Sequence, residues 1–291
     1  GIAMANINSS FKQFIKDITP SDYCYETIFP SRLKEAKSDL GASFPVTNEV
    51  TFVQAKYMGS ASKRTMITPV SDLDILSEFS FNMNAQWKYN SDSFSFITRV
   101  RNAYNGYRTQ VVGTRGQAVR VFYKAYGHVD IAPVVRVNTT TYKLPDGKGG
   151  WIFTSPETAN DWFFSRHKQL DYRLKDLVKL LKKWNSEHSS RLSSFHLETM
   201  AAAMFESIGT YQDLNLRDFF QNATGLLDVN DPGGQSGVLS KYLTYTARAN
   251  VISSFQTAYN IAVEARECEQ NSDHASAIVK WRRILGSDFP S

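Results

Sequence analysis

The alternation of β-branched and polar residues in the first half of this 291-residue chain stops at Pro156, and helical spacing takes over to the end. A chain divided in this way buries its apolar residues by building a sheet-based lobe and a helix-based lobe. Before the break, EVTFVQAKYMGS, SDLDILSEFSF, RTQVVGT, QAVRVFYKAYG, HVDIAPVVRV and WIFTS read as strands. Helices are predicted at SSFKQFIKDI, at SRLKEAKSDL after Pro30 and closed by Gly41, and over 91–106. After the break come RLKDLVKLLKKWN, SSFHLETMAAAMFESI, LRDFF and YLTYTARANVISSFQTAYNIAVEAREC, interrupted by the loop DVNDPGGQSG. Strands grouped together and then helices predict an α+β fold rather than a doubly wound one. The expected division is a mixed-sheet lobe with N-terminal helices at 1–155 and a helical lobe at 156–291.

SDLDILSEFSF places two acids at the mouth of an otherwise apolar strand. Side chains alternate along a strand, so Asp72 and Asp74 share one face while Leu73 and Ile75 share the other. Neighbouring carboxylates repel, and left unpaired near a core they cost several kcal/mol. Arginines, backbone donors or a divalent cation must compensate. A third acid, Asp130, sits between apolar residues of HVDIAPV. If that strand neighbours the first, the carboxylates converge into an oxygen cluster suited to one or two Mg²⁺ ions. Acids on a solvated sheet face fit the same pattern.

Gly59-Ser60, just upstream, adds a second signal. A Gly-Ser turn entering a helix offers backbone N–H groups and a hydroxyl to a phosphate. Such a cradle beside paired acids and a third acid describes a site for attack on the α-phosphate of a nucleoside triphosphate. One ion there activates a hydroxyl, and the other steadies the pyrophosphate leaving group.

Charge and cysteine content narrow the alternatives. Lys and Arg number 33 against 28 Asp and Glu, a net charge of +5. This mild excess suits a polyanionic partner and an ordinary soluble protein alike, and falls short of a strong basic track for RNA. Cys24 and Cys268 lie outside any CxxC or Cys/His spacing, which excludes a zinc site and a disulfide framework. No apolar run reaches the ~18 residues of a membrane span. The opening GIAMA reads as an added leader, and no signal peptide follows it. A cytoplasmic setting is expected.

The order of motifs is more specific. GS followed by DLD, with VDIAP on a later strand, resembles the polymerase-β-type nucleotidyltransferase signature. GQAVRVFY, HVDIAPVV, LPDGKGGWIFTSP, LVKLLKKWN, LSSFHLE and AIVKWRRILGSDFP then occur in the order found in bacterial cyclic-oligonucleotide synthases. From about residue 30 to its end the chain resembles these CD-NTases, relatives of metazoan cyclic GMP-AMP synthase and the oligoadenylate synthetases. The resemblance implies a bilobal polymerase-β-type enzyme using two Mg²⁺ ions, or Mn²⁺, to join NTPs into a cyclic di- or trinucleotide. That product would be a second messenger of antiphage defence, sensed by a downstream effector. A monomer with no membrane and no stable nucleic-acid partner is expected.

By the same resemblance, Gly59 and Ser60 are the phosphate-loop pair and Asp72, Asp74 and Asp130 the metal ligands, with Asp130 helping to activate the attacking 3′-hydroxyl. The segment after Gly59-Ser60 departs from the family's usual Tyr-Ala-Arg-Gly-Thr, although Ser62 and Thr65 still offer hydroxyls. A lysine of the LLKKWN helix reaches the triphosphate in the family, which selects Lys182, then Lys179, ahead of Lys63 and Arg64. The same lysines fit a solvated face opposite Leu174, Leu177, Val178, Leu181 and Trp184.

In LSSFHLE, helix capping explains both serines, with Glu198 at a loose capping-box spacing. The resemblance instead makes Phe195 a stacking platform for a base and Ser194 a polar contact, leaving His196 structural. A core position for Phe195, beside Leu197 or Met200, is the competing assignment. His128 is either a donor to the acids or a plain strand-end histidine. Asp228 and Asp231 in the NDPGG loop lack calcium-loop spacing. Two further functions remain open: nucleotide addition to RNA ends, small molecules or proteins, and a binding module with a decayed site.

Overall fold

The structure, a computed structural model, describes residues 6–104, 109–112, 117–189 and 191–291, with only the backbone at 111 and 112. The ends of the predicted 91–106 helix and of the RTQVVGT strand lie outside the described residues. In chain order the elements begin with α1 (Ile7–Ile18), a π-helical turn (Cys24–Ile28), α2 (Phe29–Ser43), β1 (Val50–Tyr57), α3 (Gly59–Lys63) and β2 (Asp72–Phe81). They continue with α4 (Met83–Tyr89), α5 (Ser93–Asn102), β3 (Thr109–Val112), β4 (Ala118–Val121), β5 (His128–Arg136), β6 (Tyr142–Pro145) and β7 (Trp151–Thr154). Helices α6 (Pro156–Gln169), α7 (Leu174–Glu187), α8 (Ser194–Met204), α9 (Gln212–Leu226), α10 (Tyr245–Gln270) and α11 (His274–Leu285) complete the chain.

Residues 20–160 form one compact unit, and 161–291 form the other together with α1. This differs from a division at 155/156 with α1 in the sheet lobe. The apolar stripe of α1 finds its partners at the far end of the chain: Phe11 lies 5.0 Å edge-on from Trp281, and Phe14 lies 5.3 Å from Phe289. Nothing local to α1 specifies that choice.

In the sheet unit the strand order is β1-β2-β5-β4-β3, with β6 beside β5 and β7 beside β6. Only the β2–β5 pair among these is parallel, so the sheet is mixed as an α+β fold requires. One face carries Leu73, Ile75, Phe79, Val119, Val121, Val129 and Ile131, which pack with Leu40 of α2 and Phe96 and Val100 of α5. Phe96 meets Phe79 and Phe81 edge-on at 5.5 and 5.0 Å. Such pairs add ~0.5–1.5 kcal/mol each beyond their buried area. On the other face, Leu76, Val134 and Tyr142 form a smaller cluster under β6. The far half of β2 is therefore buried on both faces, while its beginning stays half-open at Asp72 and Asp74.

Three local expectations change. Gly41 does not end α2; the helix runs through it to Ser43 and is capped by Phe44, whose ring packs 5.0 Å from Phe79. Burying that ring offsets the ~1 kcal/mol cost of a helical glycine. QAVRVFYKAYG is strand only to Val121, because Tyr126 and Gly127 have φ of 59° and 70°, which no strand accommodates. The segment YKLP, not expected to be extended, becomes β6 by pairing with β5 and β7.

Candidate active site

Register builds the site. Across the parallel pair Asp72 lies opposite His128 and Asp74 opposite Asp130. Across the antiparallel pair β4–β5, Arg120 lies opposite Asp130. Paired residues share a face, so Asp74, Asp130 and Arg120 form a row running across the sheet. Arg120 donates through Nε to Asp130 Oδ1 at 2.9 Å and through Nη2 to Oδ2 at 3.0 Å. Its Nη2 also lies 3.8 Å from Asp72 Oδ2. The hydrogen-bonded Asp130, with the charges of Asp130, Asp72 and Asp74, raises the arginine's already high pKa. His128 Nε2 is directed at Asp72 Oδ1, so this strand-start histidine is a partner of the acids. The repulsion anticipated from the sequence is thus offset by the Arg120 guanidinium, with His128 placed beside Asp72.

The segment entering β5 is held from two sides. Arg32 of α2 donates Nη1 to the carbonyls of Tyr126 (2.8 Å) and Gly127 (3.2 Å) and Nη2 to that of Ala125. Its guanidinium also lies 4.1 Å from the centre of the Tyr123 ring. Gly127 packs directly on the segment that precedes β2: a Cβ there would lie 2.8 Å from the Val70 carbonyl oxygen and closer still to that of Ser71. The His128 amide donates to the Ser71 carbonyl at 2.9 Å, which locks Asp72 and His128 side by side.

Gly59 opens α3 with φ of 59°, and a Cβ would stand 3.1 Å from Asp74 Oδ2. Glycine therefore serves twice here, for its left-handed conformation and for the close approach to a carboxylate. Ser60 is half-exposed beside it. Ser62 Oγ donates to the Gly59 carbonyl at 2.7 Å and accepts from Asn160 Nδ2 at 2.9 Å, so it braces the turn. Thr65 and Lys63 are buried, and the Arg64 guanidinium sits 4.6 Å from the centre of the Tyr25 ring.

The donor set fits a divalent cation. One ligand atom each from Asp72, His128 and Asp130 lies within 4.8 Å of the others, and the carboxylate oxygens suit Mg²⁺ or Mn²⁺. Asp74, the register partner of Asp130, lies outside that group of three.

Lys179, Lys182, Ser194 and Phe195 belong to the helical unit. Lys182 is not on a solvated face; it is buried with Glu198 in a 2.6 Å ion pair. Lys179 Nζ donates to Thr19 Oγ1 at 3.3 Å, and burial lowers its pKa. Lys182 is thus buried and Lys179 half-buried, because α7 is surrounded on more sides than an amphipathic stripe implies. Ser193 caps α8 by accepting from the His196 amide, leaving Ser194 exposed. Phe195 is 37% exposed while Leu197 and Met200 are fully buried, so it is not a core ring. His196 is structural: Nε2 donates to the Leu227 carbonyl at 2.7 Å and Nδ1 accepts from the Tyr242 hydroxyl at 2.8 Å.

Arg120 and Arg32 were missed from sequence. VRV had the same apolar–charged–apolar alternation that singled out the acids, so Arg120 was within reach. Arg32 was not, since its targets lie in a distant loop.

The model of the Second Messenger Oligonucleotide or Dinucleotide Synthetase domain matches residues 4–167. A probable cyclic nucleotide synthase of Bacillus cereus (strain VD146) is 23% identical over 269 residues, covering 80% of this chain and 81% of that one. The cyclic AMP-AMP-AMP synthase of Acinetobacter sp. (strain ATCC 27244 / 9458) is 25% identical over 307 residues, covering 96% and 84%. The structure of E. coli MS115-1 CdnC with ATP superposes with a TM-score of 0.75 at 15% identity, over 98% of this chain and 99% of that one. This likeness establishes a shared fold. Among the described residues no helix is long and apolar enough to cross a membrane.

Proposed function

The chain belongs to the Second Messenger Oligonucleotide or Dinucleotide Synthetase family, and from that premise we propose that it joins NTPs, ATP among them, into a cyclic di- or trinucleotide by two-metal catalysis. The observation that carries this reading is the pairing of Asp74 with Asp130 across β2 and β5, with Gly59 packed against Asp74. Asp72, Asp74 and Asp130 would hold the ions, with His128 placed beside Asp72. When bound, Mg²⁺ or Mn²⁺ supplies the Lewis acidity that activates a ribose hydroxyl and offsets charge on the leaving pyrophosphate. Gly59 and Ser60, at the start of α3 beside Asp74, are assigned to receive the triphosphate.

In each transfer the ribose oxygen bonds to the α-phosphorus and gives up its proton, with Asp130 assigned to help take it, and the bond to the β-phosphate oxygen breaks with release of pyrophosphate. A final intramolecular transfer closes the ring. Phe195 and Ser194 serve as base contacts, which the exposure of the ring supports. We assign the product a messenger role in antiphage defence, read by a downstream effector, with the enzyme acting as a monomer.

The test is incubation with the four NTPs and Mg²⁺ or Mn²⁺, phosphatase treatment and mass spectrometry. A phosphatase-resistant product at the mass of a cyclic di- or trinucleotide is expected. A ladder on added RNA, or only linear products, would overturn the reading.

A further inference from the structure

We infer that Arg120 is the internal counter-ion of the acid cluster and competes with the divalent ion for Asp130. This rests on the metal-site reading above and goes beyond it by making an arginine a positioning residue for metal entry. The geometry is direct. Arg120 takes both oxygens of Asp130 in a fork, at 2.9 and 3.0 Å, and leans toward Asp72 at 3.8 Å. Asp130 is also the carboxylate that shares the cluster with Asp72 and His128. A fork-on-carboxylate contact takes one lone pair on each Asp130 oxygen and so leaves fewer for a metal, and a guanidinium repels a dication a few ångströms away.

Strand β4 fixes the Arg120 backbone as the register partner of Asp130, between the buried Val119 and Val121, while its partly exposed side chain can swing off the carboxylate. The charged groups facing it are Asp130, Asp72 and Asp74. Its withdrawal therefore leaves converging carboxylates with one cation fewer, a state that a divalent ion relieves. The arrangement makes the metal-free protein stable at the expense of metal affinity.

The test uses the full chain, nucleotide-free, titrated with Mn²⁺ alone and read by the electron paramagnetic resonance of free Mn²⁺, beside melting temperatures with and without Mn²⁺. Arg120→Gln is expected to bind Mn²⁺ roughly tenfold more tightly than the wild type, the scale of one charge-assisted contact. Its melting temperature should fall without metal and recover when Mn²⁺ is added. Arg120→Lys keeps the charge without the fork and should lie between the two on both measures. A structural role alone would lower the melting temperature equally with and without Mn²⁺ and leave affinity unchanged.

Affinity in Arg120→Gln equal to or weaker than wild type, while Asp72→Asn with Asp74→Asn abolishes Mn²⁺ binding, overturns the Arg120 inference and leaves the metal site standing. Wild-type protein that binds no Mn²⁺, or binding indifferent to the acids, removes the metal site and the inference with it. Should Arg120→Gln not fold, Arg120→Lys decides: about threefold tighter binding supports the competition, and equal or weaker binding ends it.

Discussion

Asp74 on β2 and Asp130 on β5 face each other as register partners in the parallel pair of the sheet. A slip of one residue would send Asp130 to the core face and replace it with an apolar neighbour. Gly127 against Ser71, with Arg32 on the preceding carbonyls, guards against that slip. The geometry of the acid cluster thus depends on a turn and an arginine that touch none of the acids.

Asp72→Asn combined with Asp74→Asn should abolish nucleotide incorporation while the fold persists. Metal coordination needs the charges, whereas the fold only tolerates them. Circular dichroism should match the wild type. Retained turnover at saturating Mg²⁺ would refute two-metal catalysis at these residues.

Gly127→Ala should destabilise the sheet unit by ~1–3 kcal/mol, since φ is 70° and the new methyl meets the Val70 and Ser71 carbonyls. Incorporation should fall by more than the loss of folded protein explains, because His128 and Asp130 would shift against β2. Urea denaturation and activity per folded molecule measure the two effects. A fully stable variant with normal activity would deny the turn its guarding role.

Lys182→Ala should cost about 3–5 kcal/mol of stability by leaving Glu198 buried without its partner. Lys182→Met with Glu198→Leu should recover most of that loss, since apolar side chains of similar size replace buried ion pairs well. Thermal melts of the single and double variants decide. If Lys182→Ala melts like the wild type but raises KM for NTP, the lysine serves the nucleotide instead.

Stability should decline on acidification below about pH 6.5, the value of an unperturbed imidazole. Burial depresses the pKa of His196 and of His167, so protons bind the unfolded chain more readily. Both histidines contribute stability that is present above the unfolded value and lost as pH falls toward their lower folded values. His196→Gln should flatten part of the slope of urea stability between pH 7 and 5. An unchanged slope would mean that other groups control it.

Phe195→Ala should leave the unliganded melting temperature within a degree or two, on the order expected for a surface change. NTP binding should weaken by about 1–3 kcal/mol if the ring stacks on a base. Phe195→Tyr should preserve both properties, because an exposed edge lets the added hydroxyl stay in water. Calorimetric titration with NTP separates the outcomes. Unaltered affinity in Phe195→Ala would remove the platform.

What the sequence determined by itself was whatever depends on period and order. Alternation put Asp72 and Asp74 on one face, the change at Pro156 separated sheet from helices, and the order of motifs identified the family. Only tertiary structure decided which groups answer one another across strands and helices. Arg120 meets Asp130 because β4 and β5 pair in one register, and α1 joins Trp281 and Phe289 across nearly the whole chain. Lys182 turned inward to Glu198 because α8 covers a face that the helical pattern of α7 leaves open to solvent. Periodicity is a local property that a single element carries alone, whereas charge pairing depends on distances between elements, which packing sets.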